Sequence, residues 1–166
     1  MKDPDRQACY DAEALVWGET LYEEPLSPAV MAALVEAITD HPTWVGIGGT
    51  APVEVRAARR EALQSQAYSH RRKITLSLGG ENCATLVHEL AHVATRYQDW
   101  TAQAHGALWR TVYVDLAVTA CGAEAASRLA RRFESTGLPL AAGRWPEPAE
   151  EGPYGLYGAL RSRVSL

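Results

Sequence analysis

Ala8, Ala12, Leu15 and Val16 fall at helical spacing within residues 6–21, so a first helix is expected there. The segment "EEPLSP" interrupts it. Ser27 then has N-cap chemistry and Pro28 suits a first helical position, opening a second helix over "AVMAALVEAITD". "HPTWVGIGGTAP", dense in glycine and proline, reads as a loop. Over residues 53–78 the period changes. "VEVRA", "LQSQAYS" and "KITLSL" alternate and carry β-prone residues, which predicts a small antiparallel sheet. In "ITLSL", Ile74, Leu76 and Leu78 share one face, and Thr75 and Ser77 the other. "GG" at 79–80 ends that strand. Asn82 is placed to cap a helix running to about Gln98.

A further helix is expected over about 104–119. Another follows in "CGAEAASRLARRFESTG", with Gly137 as its stop. Residues 141–166 are rich in Pro and Gly and read as an irregular tail. The domain reading is a single domain over 1–140, followed by this tail.

Totals narrow the classes. A chain of 166 residues, 47% hydrophobic and 22% charged, suits one soluble globular domain. No apolar run is long enough for a transmembrane helix. The charged start "MKDPDRQACYDAEAL" has no apolar h-region, and Cys9, Cys83 and Cys121 are widely spaced and odd in number. The expectation is therefore a reducing, cytoplasmic setting. The net charge of −4 gives no global attraction to nucleic acid. "RAARR", "HRRK" and "RLARR" read as solvated faces. Arg56, Arg59, Arg71 and Arg72 would argue for a DNA-linked role only if they converged on one cleft. Arginine almost without lysine, together with abundant alanine, points to a GC-rich bacterial or phage source.

The chemistry lies in "TLVHELAHVAT", residues 85–95. At about 100° per residue, His92 falls about 40° from His88, one turn away on the same face, with Glu89 at its edge. Cys83, Leu86, Leu90, Val93 and Ala94 cluster opposite. This predicts a helix with one face in the core and a chelating face turned outward. Two imidazoles at i,i+4 can grip one zinc, and the adjacent carboxylate can take a proton from water without occupying a coordination position.

A catalytic zinc needs a third protein ligand. The extended pattern H-E-x-x-H-x-x-G-x-x-H fails, because Thr95 and Gln98 stand where Gly and His are required. His105, in "AHGALWR", opens the next helix. Leu108, Trp109, Val112 and Leu116 lie on or near its stripe and can hold it against the core. Asp99, Asp115 and Glu124 are rivals by position. An oxyanion stabiliser is left open among Tyr113, Arg110, His70, Tyr154 and Tyr157.

The string "ITLSL…ATLVHELAHVAT…AHGALWRTV" resembles the SprT-like zinc metallopeptidases, and a related group of bacterial metallohydrolases from GC-rich genomes. The resemblance covers about residues 53–118 and leaves the N-terminal helices and the tail outside. It implies a zincin-like α+β fold, with a small sheet of about three strands packed on an active-site helix. It further implies His88, His92 and His105 as zinc ligands, Glu89 as general base, and a peptide or protein as substrate. In such peptidases the substrate backbone lies along an edge strand. "HRRKITLSL" is the candidate edge here, although Arg71, Arg72 and Lys73 also read as edge-protecting charges. SprT-type proteins often carry a DNA-binding part, and this chain has no CxxC pair. The alternatives are a zinc-bound regulatory or interaction domain with a silent site, and a DNA-associated protease.

Overall fold

The computed structural model describes residues 3–50, 52–58, 61–142 and 152–164. Among these residues the chain is α+β, with seven helices and one three-stranded sheet. Helix α1 is Arg6–Trp17, α2 is Pro28–Thr39 and α3 is the short Pro42–Gly46. Strands β1 (Glu54–Ala57), β2 (Gln66–Tyr68) and β3 (Lys73–Leu76) follow. Then come α4 (Cys83–Gln98), α5 (Ala107–Cys121), α6 (Ala123–Ser135) and α7 (Gly155–Val164).

Local chemistry explains the best-defined ends. The Ser27 hydroxyl accepts from the Val30 N–H at 3.3 Å, with Pro28 in the first turn of α2. The Asn82 side chain accepts from the Thr85 N–H at 2.8 Å and fixes the start of α4. Helix α1 stops at Trp17, four residues short of the periodic expectation: Gly18 closes onto the Ala14 carbonyl and Glu19 takes a positive φ of 60°. Leu15, assigned to its apolar stripe, is exposed.

The sheet is mixed, which corrects the antiparallel expectation. Its order is β1-β3-β2, with β1 parallel and β2 antiparallel to β3. Alternation fixes which side chains share a face and says nothing of strand direction. β3 is therefore the central strand, and the edge assigned to "HRRKITLSL" belongs to β2 on one side and β1 on the other. Ile74 and Leu76 are fully buried as expected, but Leu78 is 76% exposed. The strand ends at Leu76, and Gly79, at a φ of 87°, turns the chain away.

α4 runs through the centre, between β2 and β3 on one side and α5 on the other. α5 is packed in turn by α6, α7 and α3. The fully buried set includes Leu86, Leu90, Trp109, Val112, Leu116 and Phe133 from α4, α5 and α6. Each such side chain contributes about 1.5–3 kcal/mol through burial. The exposed side of α6 carries Arg128 and Arg131, the solvated face read from "RLARR".

Part of the expected irregular tail is helical. α7 packs on α2 and α5, buries Tyr157, and donates that phenol's O–H to the Leu21 carbonyl at 3.1 Å. Its first residue must be glycine. A Cβ on Gly155 would lie 2.5 Å from the Ala120 carbonyl carbon, and the φ there is 59°. Residues 143–151 of the tail lie outside the described residues.

Candidate metal centre

α4 presents His88 and His92 one turn apart, with their Nε2 atoms 3.2 Å apart. His105 comes from the turn before α5, one residue ahead of the Gly106 N-cap, and not from within the helix. Its backbone carbonyl accepts from Arg110 Nη1 at 2.6 Å, which ties that turn to the first turn of α5. The structure brings the three imidazoles together: their ligand atoms lie within 4.8 Å of one another.

The grouping fits a metal ion on two counts. With Zn–N bonds of about 2.0–2.1 Å at tetrahedral angles, two ligand nitrogens stand about 3.3 Å apart, close to the His88–His92 separation. The Nε2 of His105 is buried and has no hydrogen-bond partner, an arrangement that buried polar atoms otherwise avoid. Three buried or nearly buried imidazoles can thus hold a metal ion.

Trp109 forms the floor. Its indole stacks on His92 (centroids 5.0 Å apart, planes at 25°) and meets the rings of His105 and His88 edge-on at 4.6 and 4.9 Å. Of the stripe Leu108, Trp109, Val112 and Leu116, the last three are buried as read from the sequence, and Leu108 is half-buried.

The chelating face does not point outward. His88, Glu89 and His105 are buried, and the N-terminal segment packs against both imidazoles. Glu13 of α1 places both carboxylate oxygens 3.0 Å from His88 Nδ1. The carboxylate of Asp3 meets His105 Nδ1. Tyr10 sets its ring against both imidazoles, 5.7 Å from His88 and 5.4 Å from His105. Sequence reasoning missed these residues, although the signal was present: Arg6, Tyr10 and Glu13 recur at spacings of four and three, along one face of α1.

Burial sets the electrostatics. It lowers His92 well below the ordinary histidine range, helped by charge on His88 and His105, so the lone pair of His92 is available. Burial also lowers His105, against the opposing pull of Asp3. Burial acts the same way on His88, but the charge and hydrogen bond of Glu13 reverse it and raise the group overall. Burial raises the Glu89 carboxyl, while charge on His88 and a backbone hydrogen bond from Ala67 pull it back. A desolvated carboxylate of this kind is a better proton acceptor than one in water.

Glu89, His88, His92 and His105 line one cavity of about 400 Å³, walled on one side by residues 64–69 and on the other by Asp3, Arg6 and Tyr10. β2, an edge strand, lies along this cavity. The rival ligands stand elsewhere. Asp99 caps the turn after α4, accepting from the Thr101 N–H at 2.9 Å. Asp115 and Glu124 are not part of the grouping that can hold an ion.

None of the five oxyanion candidates lines this cavity. Tyr113 is in the core, accepting from Trp17 Nε1 at 2.8 Å, and Arg110 is committed to Asp5 and the Pro139 carbonyl. Tyr157, on α7, is buried, Tyr154 is exposed, and His70 lines a neighbouring groove with Trp100. The phenols at the cavity are those of Tyr10 and Tyr68. Arg56, Arg71 and Arg72 do not line it either, and Arg56 pairs with Glu54. Arg59 lies outside the described residues. No described helix is long and apolar enough to cross a membrane.

Against protein-family models, curated proteins and solved structures, the chain gives no significant match.

Proposed function

We propose that this chain is a zinc-dependent metallopeptidase or metallohydrolase of the SprT-like, zincin type, cleaving a peptide or amide bond with activated water. The observation that carries this reading is the convergence of His88, His92 and His105, with Glu89 buried at the same cavity. Zinc held there supplies Lewis acidity and a nucleophile at neutral pH. Three imidazoles, with no fourth ligand grouped with them among the described residues, would suit a catalytic rather than a structural zinc.

Each residue then has a task. His88, His92 and His105 hold the ion through neutral nitrogens. Glu89 takes the proton from the attacking water and returns it to the departing amine, a role its desolvated carboxylate suits. Trp109 keeps the imidazoles from rotating. β2 is an edge strand along the cavity, where an extended peptide can lie as an added strand beside the Ala67 N–H that Glu89 holds. The hydrolytic reading is preferred over a silent zinc-bound interaction domain because Glu89 lines the same cavity as the three imidazoles. The test is a peptide-library cleavage screen of zinc-loaded protein beside the Glu89→Gln variant. Cleavage by the first and not the second supports the reading; no cleavage by zinc-loaded protein favours the silent domain.

A further inference from the structure

The N-terminal segment lies outside the H-E-x-x-H region, yet it supplies the two carboxylates nearest the imidazoles. Glu13 meets His88 Nδ1 through both oxygens at 3.0 Å, across 75 residues of sequence. Asp3 meets His105 Nδ1 across 102 residues. Both carboxylates are mostly buried, with side chains 16% and 19% exposed.

A neutral imidazole has one N–H and one lone pair. When Nδ1 donates to a carboxylate, the proton is fixed there and the lone pair is fixed on Nε2. In His88 that Nε2 faces His92 at 3.2 Å, and in His105 it is the buried atom without a partner. The two acids therefore select the tautomer that turns both lone pairs toward one point. They also answer a charge problem: a divalent cation on three neutral imidazoles adds two positive charges to a buried site, and such charges need compensation. Glu13 and Asp3 bring two negative ones.

The segment is held in place for this. Asp5 pairs with the buried Arg110 at 2.8 Å, and the same guanidinium nitrogen donates to the His105 carbonyl at 2.6 Å. Cys9 Sγ approaches that carbonyl at 3.8 Å. On the opposite wall, Arg6 donates to Gln64 at 3.0 Å, just ahead of β2.

We propose that Glu13 and Asp3 are positioning residues of the metal site: they orient His88 and His105 and raise their affinity for the ion. The proposal rests on the metal reading above. The experiment is zinc affinity by competition with a chelating dye, for wild type, Glu13→Gln, Glu13→Leu and Asp3→Asn. The unfolding midpoint of each metal-free protein is measured alongside. Each conservative variant should bind zinc about 10–100-fold more weakly, and Glu13→Leu at least as weakly as Glu13→Gln. A purely structural role would lower the midpoints and leave zinc affinity unchanged. Glu13→Gln and Asp3→Asn nearly preserve shape, so they remain informative if Glu13→Leu does not fold. Wild type binding zinc, with both conservative variants within about twofold of it, overturns the positioning role alone. Wild type that takes no zinc overturns the metal reading, and this role with it.

Discussion

The imidazole of His92 stacks on the indole of Trp109, ring centroids 5.0 Å apart and planes 25° from parallel. The same indole meets His88 and His105, so one buried side chain of α5 braces all three imidazoles. Trp109→Ala should destabilise the fold by about 3–5 kcal/mol, because it removes a fully buried aromatic and leaves a cavity. Trp109→Phe keeps a ring under His92 and should cost less. Denaturant unfolding gives both values. A Trp109→Ala protein as stable as wild type would mean that the floor is not packed as described.

Glu89→Gln should retain the metal and lose hydrolysis. The amide has nearly the shape of the carboxylate but cannot accept the proton, a transfer that typically contributes about 10²–10⁴-fold. Metal content and cleavage rate are measured on the same preparation. Full activity would assign the base elsewhere, and loss of metal together with activity would make Glu89 a ligand or a structural group.

Alkali should destabilise the protein through its buried thiols and phenols. Burial pushes the Cys9 thiol from 9.0 up to about 12 and raises Cys121 and Tyr22 as well. These acids ionise more readily in the unfolded chain. Their contribution is fully present below about pH 9 and is lost as pH rises toward 12. Thermal melts across that window should show Tm falling, and Cys9→Ala should soften the fall. The three buried thiols should also resist a thiol reagent at pH 8 and react once denaturant is added. A flat alkaline profile, or rapid labelling of the native protein, would contradict the burial described.

Much of α4 was legible in the sequence, because local chemistry sets it. Asn82 caps it, its apolar stripe is well phased, and its end falls at Gln98 as read. Ser27 and Pro28 were legible for the same reason. The direction of β1 was not, since a period of two is shared by parallel and antiparallel strands. Leu78 was misplaced because the turn at Gly79 overrides alternation. α7 was hidden by its proline- and glycine-rich surroundings; its helix is held by packing on α2 and α5 around Tyr157. At the site, the gathering of His88, His92 and His105 follows from helix spacing and a short turn. The approach of Asp3 and Glu13 depends on how α1 docks: the spacing of Arg6, Tyr10 and Glu13 marks a shared helix face but does not say what that face meets.

The central claim is that three imidazoles hold a zinc ion beside Glu89, and anomalous scattering at the zinc edge from crystals of protein purified without chelator tests it most directly. The account predicts a single peak per chain, about 2.0–2.1 Å from nitrogens of His88, His92 and His105. Glu89 should stand beside the ion without binding it. No peak after zinc is supplied, or a peak ligated by Asp115 or Glu124 in place of His105, would contradict it.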